Sequence, residues 1–560
     1  MNKTIHIAIV WLLLIVNVQA DDWPTYRADA ARSGYTKEQL PEKLSLQWTH
    51  KSPHAPKPAW PTRNRQQFDR AYQPVIAGGL LYYGSSVDCK VYALDAATGA
   101  IRWIFFTDSS VRFAPAVWRD RIFVSSDDGH LYCLAAADGR LLWKLRGGPK
   151  ADMLLGNDRM ISRWPARGGP VVIDNVVYFG AGIWPTEGIF IYAVDSTTGR
   201  VLWCNDSSGS IEMDQPHPTA RAKSGIASQG YMAVCGDILF VPTGRAVPAV
   251  FDRTKGELSY FHLQQNQSSG GCEVVAIDDY FFNSGEMFVG ANGVKLNLPK
   301  DNRVGLQTAA HPDFIISTAN RKIIAFNRQK LLVDRKVIDR KGKERIIKVL
   351  APPAWTVELP EGTMAPMSKR KGTEQPSINL MGSTAWSRPS LFGVPSALIV
   401  AGDNIIAAGR RKVVQVDVRS HKVVWDAKVD GAAFGLAVAD GRLYVSTNRG
   451  IIHCFSAGDS NTKGSGDAQL RAIPADDTSI FATAAEEIIR RTGVTNGYCL
   501  DIASGGCMLA MELAKRTGLR IYCVEKDSLK VKAAQNMLDV SGLYGSRVTV
   551  HQGDPVDLRI

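Results

Sequence analysis

Near the C-terminus a glycine-bearing turn, Gly505-Gly506, follows a short apolar run that holds Asp501, and two further acids, Glu525 and Asp554, stand after the next two apolar runs. Asp501 lies in the short apolar run Tyr498–Ile502, and Ser504-Gly505-Gly506 turns out of it into a helical stretch. Glycines at a strand-to-helix turn let backbone N–H groups approach a ligand closely. Glu525 and Asp554 follow the next two apolar runs, so all five would lie at one end of a small sheet.

The elements that must position them are legible. Thr478 or Ser479 caps a helix that runs through Arg491 and stops at Gly493. Tyr498–Ile502 reads as a strand, Met508–Arg516 as a helix, Arg520–Val524 as a second strand, 528–540 as a helix and 547–551 as a third strand. This β-α-β-α-β order begins a Rossmann-like fold. Residues 478–560 are therefore expected to form an incomplete α/β module, joined by a Gly/Ser-containing linker at 459–477. Three strands leave an uncovered sheet edge, and the expectation is a truncated reading frame.

The string Asp501-Ile502-Ala503-Ser504-Gly505-Gly506-Cys507 resembles the Asp-x-Gly-x-Gly-x-Gly motif of class I S-adenosylmethionine-dependent methyltransferases. The resemblance implies S-adenosylmethionine as cofactor, Glu525 on the ribose hydroxyls and Asp554 near the adenine. Ala503 and Cys507 stand where the family has glycine, and a Cβ there crowds the backbone approach. The family's fourth-strand catalytic motif is absent, so no catalytic residue is implied.

Most of the chain does something else. YALDAATGAIRW (92–103), YCLAAADGRLLW (132–143) and YAVDSTTGRVLW (192–203) are near-copies. Each reads as a strand, an Asp-to-Gly turn and a return strand ending in Trp. Two further strands precede each copy, opening at Pro74, Pro115 and Pro170. Units of four antiparallel strands are propeller blades, with the Trp between neighbours. Weaker copies run from Val250 to Phe261 and from Val414 to Trp425, where His421 replaces the glycine. Degenerate units lie near Met287–Leu298 and Phe314–Trp355, and the last unit, 435–455, lacks a fourth strand. Leu44–Thr49, a lone strand ending near Trp48, would close the ring. The expected fold is mainly β: a propeller over 44–458 with eight blades, or alternatively seven.

The pattern Ala93…Asp95…Thr98-Gly99…Trp103, repeated at Ala193…Trp203, resembles the pyrroloquinoline-quinone (PQQ)-like repeat. The segment 21–43, with Asp22-Trp23-Pro24, Arg27, Asp29 and Arg32-Ser33-Gly34, resembles the start of exported propellers of this group. The group includes quinoprotein dehydrogenases and the outer-membrane assembly propeller, which binds no quinone. In the dehydrogenases the resemblance would imply PQQ over a vicinal Cys-Cys disulfide, with calcium held by Glu, Asn and Asp. No two of the nine cysteines are adjacent, and the loop acids Glu187, Glu212, Asp214 and Glu286 form no recognisable calcium set. No CxxC, CxxCH or HExxH occurs, so no metal ligand is assigned. Cys133 and Cys454 share one repeat position and are expected in the core.

Other candidates are basic. The loops 156–167 (Arg159, Arg167) and 242–245 (Arg245) place arginines beside Gly or Pro, where a propeller face could take an anion or a partner. The formal charge is +12, but the densest basic run, 321–348, reads as a solvated insertion, which argues against nucleic acid. Residues 1–20 have the pattern of a secretory signal ending at Val18-Gln19-Ala20, and no later run could span a membrane. The reading is a periplasmic or secreted propeller that binds a protein or small molecule on one face, carrying a methyltransferase-like appendage. The alternatives are a methyltransferase, if the chain continues past 560, and a PQQ-dependent oxidoreductase.

Overall fold

The computed structural model describes residues 22–60, 67–215, 219–244, 246–263, 270–296, 304–305, 307–319, 321–338, 342–361, 363, 396–460 and 478–554. The leader at 1–20, Arg245, most of the linker (461–477) and residues 555–560 lie outside these.

Eight antiparallel sheets follow one another along the chain, so the fold is mainly β and an eight-bladed propeller. The first blade takes strands Val75–Ala77, Leu80–Gly84, Lys90–Asp95 and Ile101–Phe106. The next six span 116–146, 168–205, 233–260, 275–289, 308–358 and 397–428. Among the described residues the fifth of the eight has three strands, and the sixth carries the basic run on an outlying hairpin, Leu332–Ile338 with Glu344–Leu350. The eighth (433–456) has three strands of its own and takes its fourth from Ser45–Lys51. Trp48 lies opposite Cys454 and Thr49 opposite His453, so the expected closing strand does close the ring.

Local chemistry explains why each blade folds back. The Asp95 carboxylate accepts from the Ala97 and Thr98 N–H groups and the Thr98 hydroxyl at 3.1, 2.9 and 2.9 Å, which turns the chain. Asp195 does the same with Thr197 and Thr198. Gly99 then takes φ +74°, a left-handed value that favours glycine. His421, in the glycine's place, also adopts positive φ, at 56°.

The repeat also couples blades. A Cβ on Gly99 would lie 2.6 Å from Trp48, one on Gly139 2.5 Å from Trp103, and one on Gly199 2.8 Å from Trp143. The turn glycine of one blade is thus the seat of the preceding blade's tryptophan. Trp48 and Trp103 also donate their indole N–H to the Ala96 and Ala136 carbonyls of the next blade. Trp355 stacks on His421 at 4.6 Å, so an aromatic ring replaces the glycine seat there.

Residues 22–36 run along the bore and bind blade after blade. Trp23 pairs with Ile76, and the Pro24, Ala30, Ala31, Ser33 and Gly34 carbonyls accept from Val117, Val234, Ala276, Ala310 and Val400. Two buried arginines finish the work. Arg27 donates to the Leu398 and Thr308 carbonyls, and Arg32 to the Met232, Tyr26 and Pro170 carbonyls. Burial lowers the Arg32 guanidinium to about 10.

Beyond the propeller lie three parallel strands, Tyr498–Ile502, Arg520–Glu525 and Val548–Gln552, in that spatial order. The helices Met508–Arg516 and Ser528–Val540 connect them. The outer edge of Tyr498–Ile502 has no partner strand among the described residues. Tyr498, Leu500 and Ile502 are 50, 41 and 51% exposed. The unit rests on the first blade and the link that follows it: buried Lys90 pairs with Asp88 and Asp539, and the Tyr544 hydroxyl donates to the Thr107 carbonyl. No described helix is long and apolar enough to cross a membrane.

Candidate functional site

In each blade the links between strands two and three, and from strand four to the next blade, leave from one end. That end carries the axial cavity, about 150 Å³, lined by Gln67, Arg70, Gln73, Glu273, Asn283 and Gln307 over the bore-filling Arg27. Arg70 lies over the Phe434 ring at 5.2 Å, and its Nε is buried without a partner among the described residues. The Asn283 side-chain oxygen is likewise buried and unpartnered, while its amide donates to the Glu273 carbonyl at 2.6 Å. Buried polar atoms are rarely left unpaired, so these two point to a polar occupant.

Beside the cavity an ionic network holds the loops in place. Arg112 bridges Asp69 (2.7 Å) and Asp127 (2.5 Å), and Arg167 grips both Asp127 oxygens at 2.9 and 3.1 Å. Burial pushes the Asp127 carboxyl up, but the two guanidiniums outweigh it and bring it to about 2. Next to the network Tyr26 stacks on Tyr231 at 3.6 Å, Phe113 meets Tyr231 edge-on, and Phe68 stacks on Phe113 at 4.5 Å.

The sequence reading singled out neither Arg70 nor Arg112, and placed Arg167 only as an exposed-loop candidate. A signal was present. Each arginine stands three or four residues before the proline that opens a blade: Arg70/Pro74, Arg112/Pro115 and Arg167/Pro170. The chain there is returning to the axis, so these side chains meet at the centre. Arg159 and Arg167 are buried inside the fold rather than displayed. The loop acids are dispersed: Glu187 pairs with Arg163, Glu212 with Arg221 and Glu286 with Lys295.

The five C-terminal candidates lie at the carboxyl ends of the parallel strands. Glu525 accepts from the Gly505 N–H at 3.0 Å and from the Asp527 N–H at 2.9 Å. Gly505 and Gly506 have φ +61° and +144°. Ala503 and Cys507 hold left-handed φ of 57° and 63°, the strained conformation glycine would take without cost. The Cys507 thiol donates to Ser504, and Cys523 points its thiol at Asp501. Burial raises the Asp501 carboxyl, which Cys523 opposes. Asp554 pairs with Lys526 at 3.0 Å.

The family pattern described as outer membrane protein assembly factor BamB, PQQ_2, matches residues 45–203 and 363–515, more than half of the chain. The chain belongs to this family. The matched stretches skip 204–362, the blades whose repeats have decayed, although those blades form. Among curated relatives, the quinone alcohol dehydrogenase subunit of Gluconobacter oxydans is 29% identical over 143 residues, 23% of this chain and 18% of that protein. BamB of Yersinia pestis is 30% identical over 141 residues, 23% of this chain and 32% of that protein. The chain thus spans about a third or less of these relatives. The quinohemoprotein alcohol dehydrogenase of Comamonas testosteroni shares the fold, with TM-score 0.51 and 14% identity over 84% of this chain and 85% of that one. A europium-containing methanol dehydrogenase gives 0.50 and 13%, over 78% and 98%.

For PQQ, all nine cysteines are free, and no cluster of three His, Cys, Asp or Glu among the described residues could hold a metal ion. At the C-terminal turn each Glu525 oxygen accepts one backbone N–H, one of them from Gly505, and each keeps a second lone pair for a further donor.

Proposed function

We propose that this protein is an exported binding or scaffold propeller that recognises a polar group of a protein or small molecule at its axial cavity. The observation that carries the reading is the pair of buried, unpartnered polar atoms there, Arg70 Nε and Asn283 Oδ1. The arrangement supplies a cation, an acceptor and a carboxylate (Glu273) on a rigid floor. It recognises by hydrogen bonding and charge. The leader pattern at 1–20 supports export, and the name of the BamB relative supports a protein partner. Arg70→Met and Asn283→Leu test it. Capture of extracytoplasmic proteins or metabolites by the native chain, lost in both variants at unchanged thermal stability, is the expected result. Undiminished capture sinks the reading.

The names of the dehydrogenase relatives favour a second reading, PQQ-dependent oxidation. Reconstitution with PQQ and calcium, followed by dye reduction with primary alcohols, separates the two. The C-terminal unit is read as a partial, Rossmann-like appendage of methyltransferase type, with Asp501, Gly505, Gly506, Glu525 and Asp554 as its ligand loop. Saturable S-adenosylmethionine binding that Glu525→Ala abolishes would establish that site.

A further inference from the structure

A second cavity, about 210 Å³, lies between the propeller hairpin Met153–Gly156/Arg159–Ser162 and the open face of the C-terminal sheet. It shares no lining residue with the axial cavity. Its walls are apolar: Leu155 and Met160 on the hairpin, Tyr498, Leu500 and Tyr522 on the sheet. Leu155, Tyr498 and Leu500 are each at least two-fifths exposed, which is costly for large apolar side chains grouped together.

The charge around these walls is one-sided. The lining holds three guanidiniums, Arg159, Arg520 and Arg547, against one carboxylate, Asp158. Arg159 is more than nine-tenths buried, and its Nε has no partner among the described residues, although its Nη1 donates to the Val87 carbonyl and the Ser110 hydroxyl. Arg520 donates to the Asp158 carbonyl at 2.9 Å. Burial and the neighbouring Arg520 charge hold Arg547 below the ordinary arginine value. An anion placed among them relieves that crowding, and an alkyl or aryl body covers the exposed side chains.

We infer that this groove binds a single-chain amphiphile with a carboxylate head. The chain lies along Leu155, Met160 and Leu500, and the head meets Arg520 and Arg547. The cavity falls below the ~300 Å³ lower end of drug-sized sites, which suits one short chain rather than two.

The test is calorimetric titration of the full chain with decanoate, decan-1-ol and decyltrimethylammonium, each below its micelle-forming concentration. Decanoate is expected to bind at one site, at least tenfold more tightly than decanol, with no saturable heat from the ammonium. Arg520→Gln should weaken decanoate at least fivefold and leave decanol unchanged. Leu500→Trp, which fills the groove from the sheet, should abolish binding. Leu155→Trp does the same from the hairpin, so the test survives if one variant fails to fold. Equal affinity for decanoate and decanol, or undiminished decanoate binding in the folded tryptophan variants, would overturn the inference. Absence of any saturable decanoate binding would overturn it too.

Discussion

Trp103 of the first blade lies against Gly139 of the second so closely that a Cβ on Gly139 would sit 2.5 Å from the indole. The same relation joins Trp48 to Gly99, Trp143 to Gly199 and Trp203 to Gly256. Tyr260 on Gly293 is a phenolic version of it. A repeat that looks local in sequence is therefore a contact between successive copies.

Gly139→Ala should destabilise the propeller by about 2–4 kcal/mol, from positive φ and overpacking together. Gly441→Ala is the control. Its φ is +65°, but nothing lies within 4 Å of the added Cβ. It should cost only about 1 kcal/mol. Equal losses in denaturant melts would mean that the tryptophan seat contributes nothing.

Asp127→Asn leaves Arg112 and Arg167 buried without their shared carboxylate. The expected loss is about 3–5 kcal/mol. With the folded carboxyl at about 2 and the unfolded one at 3.8, its stabilisation is complete above 3.8 and vanishes as pH falls to 2. Acid titration of the wild type should show this phase, and the variant should lack it.

His50 and His453 lie on the two strands of the closing seam. Burial lowers both to about 4, with Asp430 partly opposing it at His453. The unfolded chain takes its protons near pH 6.5, so stability is complete above that and falls as pH drops toward 4. Each histidine should contribute a slope of no more than about 1.4 kcal/mol per pH unit in that window. Hydrogen exchange along 45–51 should accelerate there, and His453→Gln should flatten the response.

Arg32→Lys should not rescue Arg32→Ala. The guanidinium serves carbonyls of Tyr26, Pro170 and Met232 in different directions, which a single ammonium does not reach. Each carbonyl left unsatisfied costs about 1–3 kcal/mol. Thermal melts of the three proteins check this.

What could be read from the sequence divides along the range of the interactions. Asp95, Thr98 and Gly99 act within one turn, so the hairpins, the eight blades and the closing strand near Trp48 were all foreseen. The helix and strand bounds at 498–551 were also legible, because Gly493, Gly518 and the apolar runs act locally. The axial site was not. Arg70 precedes the first blade whereas Glu273 and Asn283 belong to the fifth, and no spacing along the chain brings the arginine to them. Arg159 and Arg167 illustrate the same limit: beside Gly and Pro they look displayed, yet the fold turns both inward. At Glu525 the acid was anticipated, but its backbone partner at Gly505 depends on the turn's three-dimensional shape.

The closing strand has a consequence in time. Tyr35 pairs with Val400, and Ser45 lies opposite Ser456. The strand Ser45–Lys51 therefore waits for Ile451–Ser456, at the far end of the propeller sequence, before it can pair. Until about residue 456 has emerged from the ribosome, the bore segment has no complete wall to bind, and the innermost strands of the finished blades face an open gap. Closure joins the most distant parts of the chain, the kind of contact that slows folding most. The unclosed ring is the state in which this protein is most exposed to aggregation and to chaperones.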